Sequence, residues 1–194
     1  KLKKKKVYSF LDHWVNYRIR FTRNDKLLLP DKIIVCDNEA KKIATKYFNN
    51  LIFMSNPYWK YVSKKFKNKK VNNINKYLYV SSNYNRTKRK FNDKWILNKL
   101  IRYLEKKDQS STLLIRPHPS ESEKKFNNFF SKKKINIIID KNKNLLFSLR
   151  RASVVFGHNS MAMVLAKICG LRTININVIG QKNFIPIKYI DKFI

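Results

Sequence analysis

Two short segments carry residue types suited to a charged ligand. The first is Arg116-Pro117-His118-Pro119-Ser120-Glu121, which follows the apolar run from Thr112 to Ile115. A histidine between two prolines has a stiff backbone, and imidazole titrates near neutral pH, so His118 can donate to a phosphate or protonate a leaving group. Arg116 brings a positive charge to the same turn, and Pro119 closes it. The second segment is Phe156-Gly157-His158-Asn159-Ser160-Met161-Ala162, an apolar run that passes through Gly157 into a helical stretch. Asn159 and Ser160 fall in the cap region of that helix, where free N–H groups and the positive end of the dipole favour an anion, and a small hydroxyl adds a donor. Each segment has a plainer alternative. Pro-His-Pro can be a rigid loop with a solvent-facing imidazole, and Ser160 can cap its own helix and nothing else. Neither the Walker pattern nor the Gly-x-Gly-x-x-Gly fingerprint occurs.

The elements around these segments alternate. Val7 to Leu11 reads as a strand, followed by a polar loop to Pro30. Lys32 to Cys36 is a β-branched strand, Asp37-Asn38-Glu39 offers cap residues, and Ala40 to Phe48 is helical. Leu51 to Met54 is a strand, and Tyr58 to Phe66 a helix with Pro57 at its start. From Lys67 to Lys76 the chain is nearly all Lys and Asn, as in a linker. Strands are then expected at Tyr77 to Ser81, Thr112 to Ile115, Ile135 to Ile139, Val154 to Phe156 and Arg172 to Val178. Helices are expected at Lys94 to Lys106 with Trp95, Leu97, Ile101 and Leu104 near one face, at Phe126 to Phe130, at Leu145 to Arg150, and at Ser160 to Cys169 ended by Gly170. Strands apolar on both faces, alternating with helices, predict an α/β fold with a doubly wound parallel sheet. Residues 1–70 form a partial N-terminal lobe and residues 76–194 a Rossmann-like domain. Ligands of such sheets bind beyond the carboxyl ends of the strands, where both segments lie.

At 194 residues, with 43% hydrophobic and 13% aromatic content, the chain can fold by burial alone. No apolar run approaches the roughly 18 residues of a membrane span. Lys1 to Lys6 lead into too short an apolar stretch for a signal peptide, so a cytoplasmic protein is expected. The net charge of +32 attracts any polyanion, whether nucleic acid, an anionic membrane surface or an anionic substrate. The excess is mostly scattered Lys beside Asn and Ile, and no nucleic-acid module accompanies it, so no specific nucleic acid is expected. Peripheral contact with the inner face of a membrane fits the charge. Cys36 and Cys169 sit in apolar runs and are read as free thiols. The three histidines lack carboxylates at ligand spacing, so neither a metal nor another cofactor is expected.

The Arg-x-His-Pro turn after one strand and the Gly-x-x-Ser turn two strands later resemble the C-terminal domain of GT-B glycosyltransferases, nearest to bacterial sialyltransferases, polysialyltransferases and capsule-polysaccharide transferases. The resemblance covers Tyr77 to Val178. It implies that His118 of the His-Pro motif and Ser160 of the Ser motif contact the phosphate of a nucleotide-activated sugar, with a CMP link the first expectation, for surface polysaccharide or glycan synthesis. Pro119, Gly157 and Asn159 would line that donor site with Arg116. Met161 stands where the Ser motif sometimes has a second hydroxyl. The acidic motif of the N-terminal, acceptor-side lobe has no clear counterpart; Asp12, beside His13, is the candidate base, and a strand-end Asp capping a turn is the alternative. The N-terminal lobe lacks the family's opening strands, so a truncated enzyme or half of one is expected. Two other readings stay open: a non-catalytic sugar-nucleotide or polysaccharide-binding remnant, and a basic nucleic-acid-binding protein.

Overall fold

The computed structural model describes residues 5–67, 76–82, 93–129, 134–178 and 180–194. The chain divides into two compact units, Lys1–Tyr61 and Val62–Ile194. Residues 68–75, most of the stretch read as a linker, lie outside the described residues, as does Phe130.

The first unit is built on a three-stranded parallel sheet, ordered β1 (Tyr8–Leu11), β4 (Lys32–Val35), β5 (Leu51–Phe53). Leu11, Ile33 and Val35 are buried against Ala40 and Ala44 of helix α2 (Asn38–Ala44). That helix starts two residues before the expected Ala40, because the Asp37 carboxylate caps it by accepting the Ala40 N–H at 2.7 Å, and it ends at Ala44, short of the expected Phe48. Asn56 does the same for α3 (Pro57–Lys67), accepting from Tyr58 at 3.0 Å with Pro57 in the first turn. The expected polar loop before Pro30 contains more order than its composition suggests. A single helical turn, α1 (Tyr17–Arg20), precedes a hairpin of β2 (Thr22–Arg23) and β3 (Lys26–Leu27). Asn24 and Asp25 make its tight turn with φ of 48° and 58°. Two left-handed residues give the mirror-image turn that suits strand twist, and Asn and Asp tolerate that conformation.

The second unit holds a six-stranded sheet in which every pairing is parallel. Its strands are β6 (Lys76–Val80), β7 (Thr112–Arg116), β8 (Asn136–Ile139), β9 (Val154–Gly157), β10 (Arg172–Asn175) and β11 (Lys192–Phe193). From one edge the order is β8-β7-β6-β9-β10-β11, which is the Rossmann order 3-2-1-4-5-6. Leu113 pairs with Ile137 in parallel, as expected. The chain order reverses between β6 and β9, so the crevice of the fold opens at those two strand ends. The sequence reading missed β11, a two-residue strand, and ran β10 three residues too far.

Helices cover both faces. Helix α4 (Asp93–Lys107) buries Ile96, Leu97, Leu100, Ile101 and Leu104 with Tyr77, Tyr79, Leu113 and Ile115. Each such side chain stabilises the fold by roughly 1.5–3 kcal/mol. Trp95, expected on this face, is only partly buried, because the apolar stripe is centred one residue later. Helix α6 (Met161–Ile168) lies on the opposite face, the one shared by Val80 and Gly157. A Cβ on Gly157 would come within 2.9 Å of both Val80 Cγ2 and Met163 Sδ, so glycine permits this close approach of helix and strand. Gly170, with φ of 81°, ends α6, and the Leu171 N–H reaches back to the Ala166 carbonyl at 3.0 Å. Between β8 and β9 runs α5 (Leu145–Leu149), and the stretch read as a helix near Phe126 is a 3-10 turn, Glu123–Phe129. No helix among the described residues is long and apolar enough to cross a membrane.

Candidate functional site

Register fixes where the two segments emerge. Val80 at the end of β6 pairs with Arg116 on one side and Gly157 on the other. The carboxyl ends of β7, β6 and β9 therefore form one row, about 10 Å from first to last at two strand spacings. His118 lies two residues beyond one end of that row and Ser160 three residues beyond the other.

The His118 turn is tightly built although the residue is exposed. The Glu121 carboxylate accepts the His118 N–H at 2.9 Å, and the Glu121 N–H donates to the His118 carbonyl at 2.8 Å. Ser120 holds the ring, its backbone N–H lying 3.2 Å and its hydroxyl 2.8 Å from Nδ1. A backbone N–H can only donate, so Nδ1 is the acceptor and the neutral ring carries its proton on Nε2. Burial alone would raise the pKa of Glu121; the Lys125 ammonium, the Ser81 hydroxyl and the His118 amide outweigh it and lower it. Pro119, like His118, is exposed.

Arg116, expected at the donor, is bonded within the protein. Its guanidinium donates to the Asp140 carboxylate at 3.1 Å, to the carbonyls of Asn142 at 2.6 Å and Lys143 at 3.1 Å, and to Ser148 Oγ at 2.7 Å. The Asp140 side chain is fully buried and that of Arg116 is 14% exposed. The charge expected at a ligand is thus matched within the protein, where it ties the end of β7 to the turn between β8 and α5. Burial would raise the Asp140 pKa, but bonds from Ser148, Asn142 and Arg116 bring it below the usual carboxylate range.

The β9 turn closes on itself. His158 is buried, and its Nδ1 lies 2.9 Å from the Ile176 carbonyl, which can only accept, so this ring is protonated on Nδ1. The Asn159 amide then donates to Nε2 at 3.0 Å and to the Lys182 carbonyl at 3.1 Å, while its oxygen accepts from the Phe184 N–H at 2.8 Å. Asn159, at φ 51°, is a buckle between this turn and the loop after β10, where both ends of its side-chain amide are engaged. Burial, as the leading cause, keeps the pKa of His158 below its ordinary value. Gly157 is a packing residue. Ser160 stands at the N-cap of α6 in extended backbone, yet its side chain makes no capping bond, so the cap-only alternative has no bond to carry it. It is 9% exposed.

Asp12 follows β1 in the first unit, where its carboxylate accepts from Arg20 at 3.1 Å and lies 3.6 Å from His13 Nε2. The reading from sequence missed Glu121, Ser120 and the Asp140 cluster. Asp140 had a legible signal: it follows β8 as Arg116 ends β7, and opposite charges at adjacent ends of parallel strands meet.

No protein-family model matches the chain, and no curated protein matches it. Among solved structures, the crystal structure of TarM is similar, with a TM-score of 0.49 and 14% identity over 91% of this chain and 37% of that one. This chain spans well under half the length of TarM.

Proposed function

We propose that the second unit binds a nucleotide-activated sugar and that the chain acts as a glycosyltransferase, or as part of one, in surface polysaccharide or glycan synthesis. The observation that carries this reading is the pairing of Val80 with both Arg116 and Gly157, from which the His118 and Ser160 turns leave the same edge of a Rossmann sheet. His118 donates from Nε2 to the leaving phosphate, offsetting the negative charge that grows as the bond to the sugar breaks. Ser160 and the first free N–H groups of α6 hold the same phosphate. Arg116 supports the turn without touching the ligand, and Asp12 is the candidate base for the acceptor hydroxyl. A CMP-linked donor is the first to try. The charge of +32 adds a peripheral attraction to an anionic membrane surface.

Calorimetric titration of CMP and UDP tests the reading. His118→Ala and Ser160→Ala should each weaken binding about ten- to a hundredfold, the cost of a lost charge-assisted hydrogen bond to phosphate. Absence of binding by the wild type, or unchanged affinity in both folded variants, would remove the donor site. Retention on RNA that collapses with modest salt and spares nucleotide binding would mark the charge as nonspecific.

A further inference from the structure

Pro117 and Pro119 have no N–H, so the amide of His118 is the one main-chain donor in the Pro-His-Pro run. Glu121 takes it, and returns its own N–H to the His118 carbonyl. Its other carboxylate oxygen accepts from Lys125 Nζ at 2.6 Å. The Glu121 side chain is 3% exposed, whereas the histidine it grips is exposed. Removing a carboxylate from water is costly unless bonds replace the lost hydration, and two prolines already make this turn stiff. The carboxylate therefore does something that rigidity alone does not need. It also links the turn to the sheet: Ser81, whose N–H binds the Arg116 carbonyl at 3.0 Å, has its hydroxyl near enough to Glu121 to favour the charged form, though not in hydrogen-bond geometry.

We propose that Glu121 is a positioning residue for phosphate binding: by gripping the His118 amide it sets the ring where Ser120 occupies Nδ1, leaving Nε2–H as the donor to the ligand. This inference rests on the donor-site reading above. Lys125 neutralises the carboxylate so that it does not repel the phosphate it helps to bind.

The test combines two readouts on the full chain. Nitrogen-15 imidazole spectra at about pH 7.5 report the tautomer of His118, assigned by its loss in His118→Ala, and titration with CMP and UDP reports affinity. The wild type should show the Nε2–H tautomer. Glu121→Ala should mix the tautomers and weaken nucleotide binding about tenfold. Glu121→Gln, which keeps an acceptor for the amide, should restore most of both, leaving a loss of about two- to fivefold. If the alanine variant fails to fold, Glu121→Met, which keeps the bulk and removes the acceptor, carries the test, and wild-type tautomer and affinity in that variant would overturn the role. A lowered melting temperature in the Glu121 variants with an unmoved tautomer ratio and unchanged nucleotide affinity, beside a loss of affinity in His118→Ala, overturns the positioning role and leaves the donor site standing. Unchanged affinity in His118→Ala removes the donor site and this role with it.

Discussion

His118 and His158 each follow the end of a parallel strand in the same sheet, and their surroundings make them opposites. His118 is exposed, accepts a backbone N–H at Nδ1 and carries its proton on Nε2; His158 is buried, donates from Nδ1 and accepts the Asn159 amide at Nε2. The neighbours decide which. Two prolines and a buried Glu121 hold the first ring at the surface, while Gly157 and Asn159 turn the second beneath the loop after β10. One imidazole faces solvent and the other is part of the frame. Arg116 and Ser160 divide in the same way, the first engaged by Asp140 and the second without a side-chain capping bond.

Removing frame residues should cost the most stability. Arg116→Ala removes the nearer guanidinium from the buried Asp140 carboxylate and leaves Arg151 Nη1 at 3.8 Å, so a loss of about 3 kcal/mol is expected in urea denaturation. A loss under about 0.5 kcal/mol, typical of exposed sites, would return Arg116 to the candidate ligand residues.

Acid tests the buried His158 next. The folded-state pKa of His158 lies below the unfolded value of 6.5, so its contribution is complete above pH 6.5 and is lost as pH falls through the folded value. Glu121 and Asp140 are lowered from 4.5 and 3.8, so their contributions are complete above those values and lost only below them. Between pH 6.5 and 4.5 stability should therefore fall by up to about 1.4 kcal/mol per pH unit, and His158→Ala should flatten that fall. An equal slope in the variant would show that His158 is not its source.

A smaller effect compares two helix starts. Asp37→Ala removes a formed capping bond and the acceptor of the buried Trp14 indole N–H and should cost about 2 kcal/mol, whereas Ser160→Ala removes no capping bond and should change thermal stability little, under about 0.5 kcal/mol. Equal costs would make Ser160 an ordinary cap.

The periodicity of Ile96, Leu97, Leu100, Ile101 and Leu104 and the β-branched runs made the α/β fold legible, since burial patterns are written in the local sequence. The strand order was legible only as a class, because pairing is a long-range property. The hairpin at Asn24-Asp25 was missed because its strands are short and exposed, leaving no alternation to read. Within the site, the positions of His118 and Ser160 followed from strand ends. The engagement of Arg116 and Asn159 did not, because their partners, Asp140 and Phe184, lie more than 20 residues away in sequence.

A crystal structure of the chain with CMP or UDP tests the central claim most directly. The account predicts a phosphate oxygen within about 3.2 Å of His118 Nε2 and the same phosphate hydrogen-bonded to Ser160 Oγ or the first N–H groups of α6. A nucleotide bound at another edge of the sheet, or a phosphate held by Arg116 freed from Asp140, would contradict it.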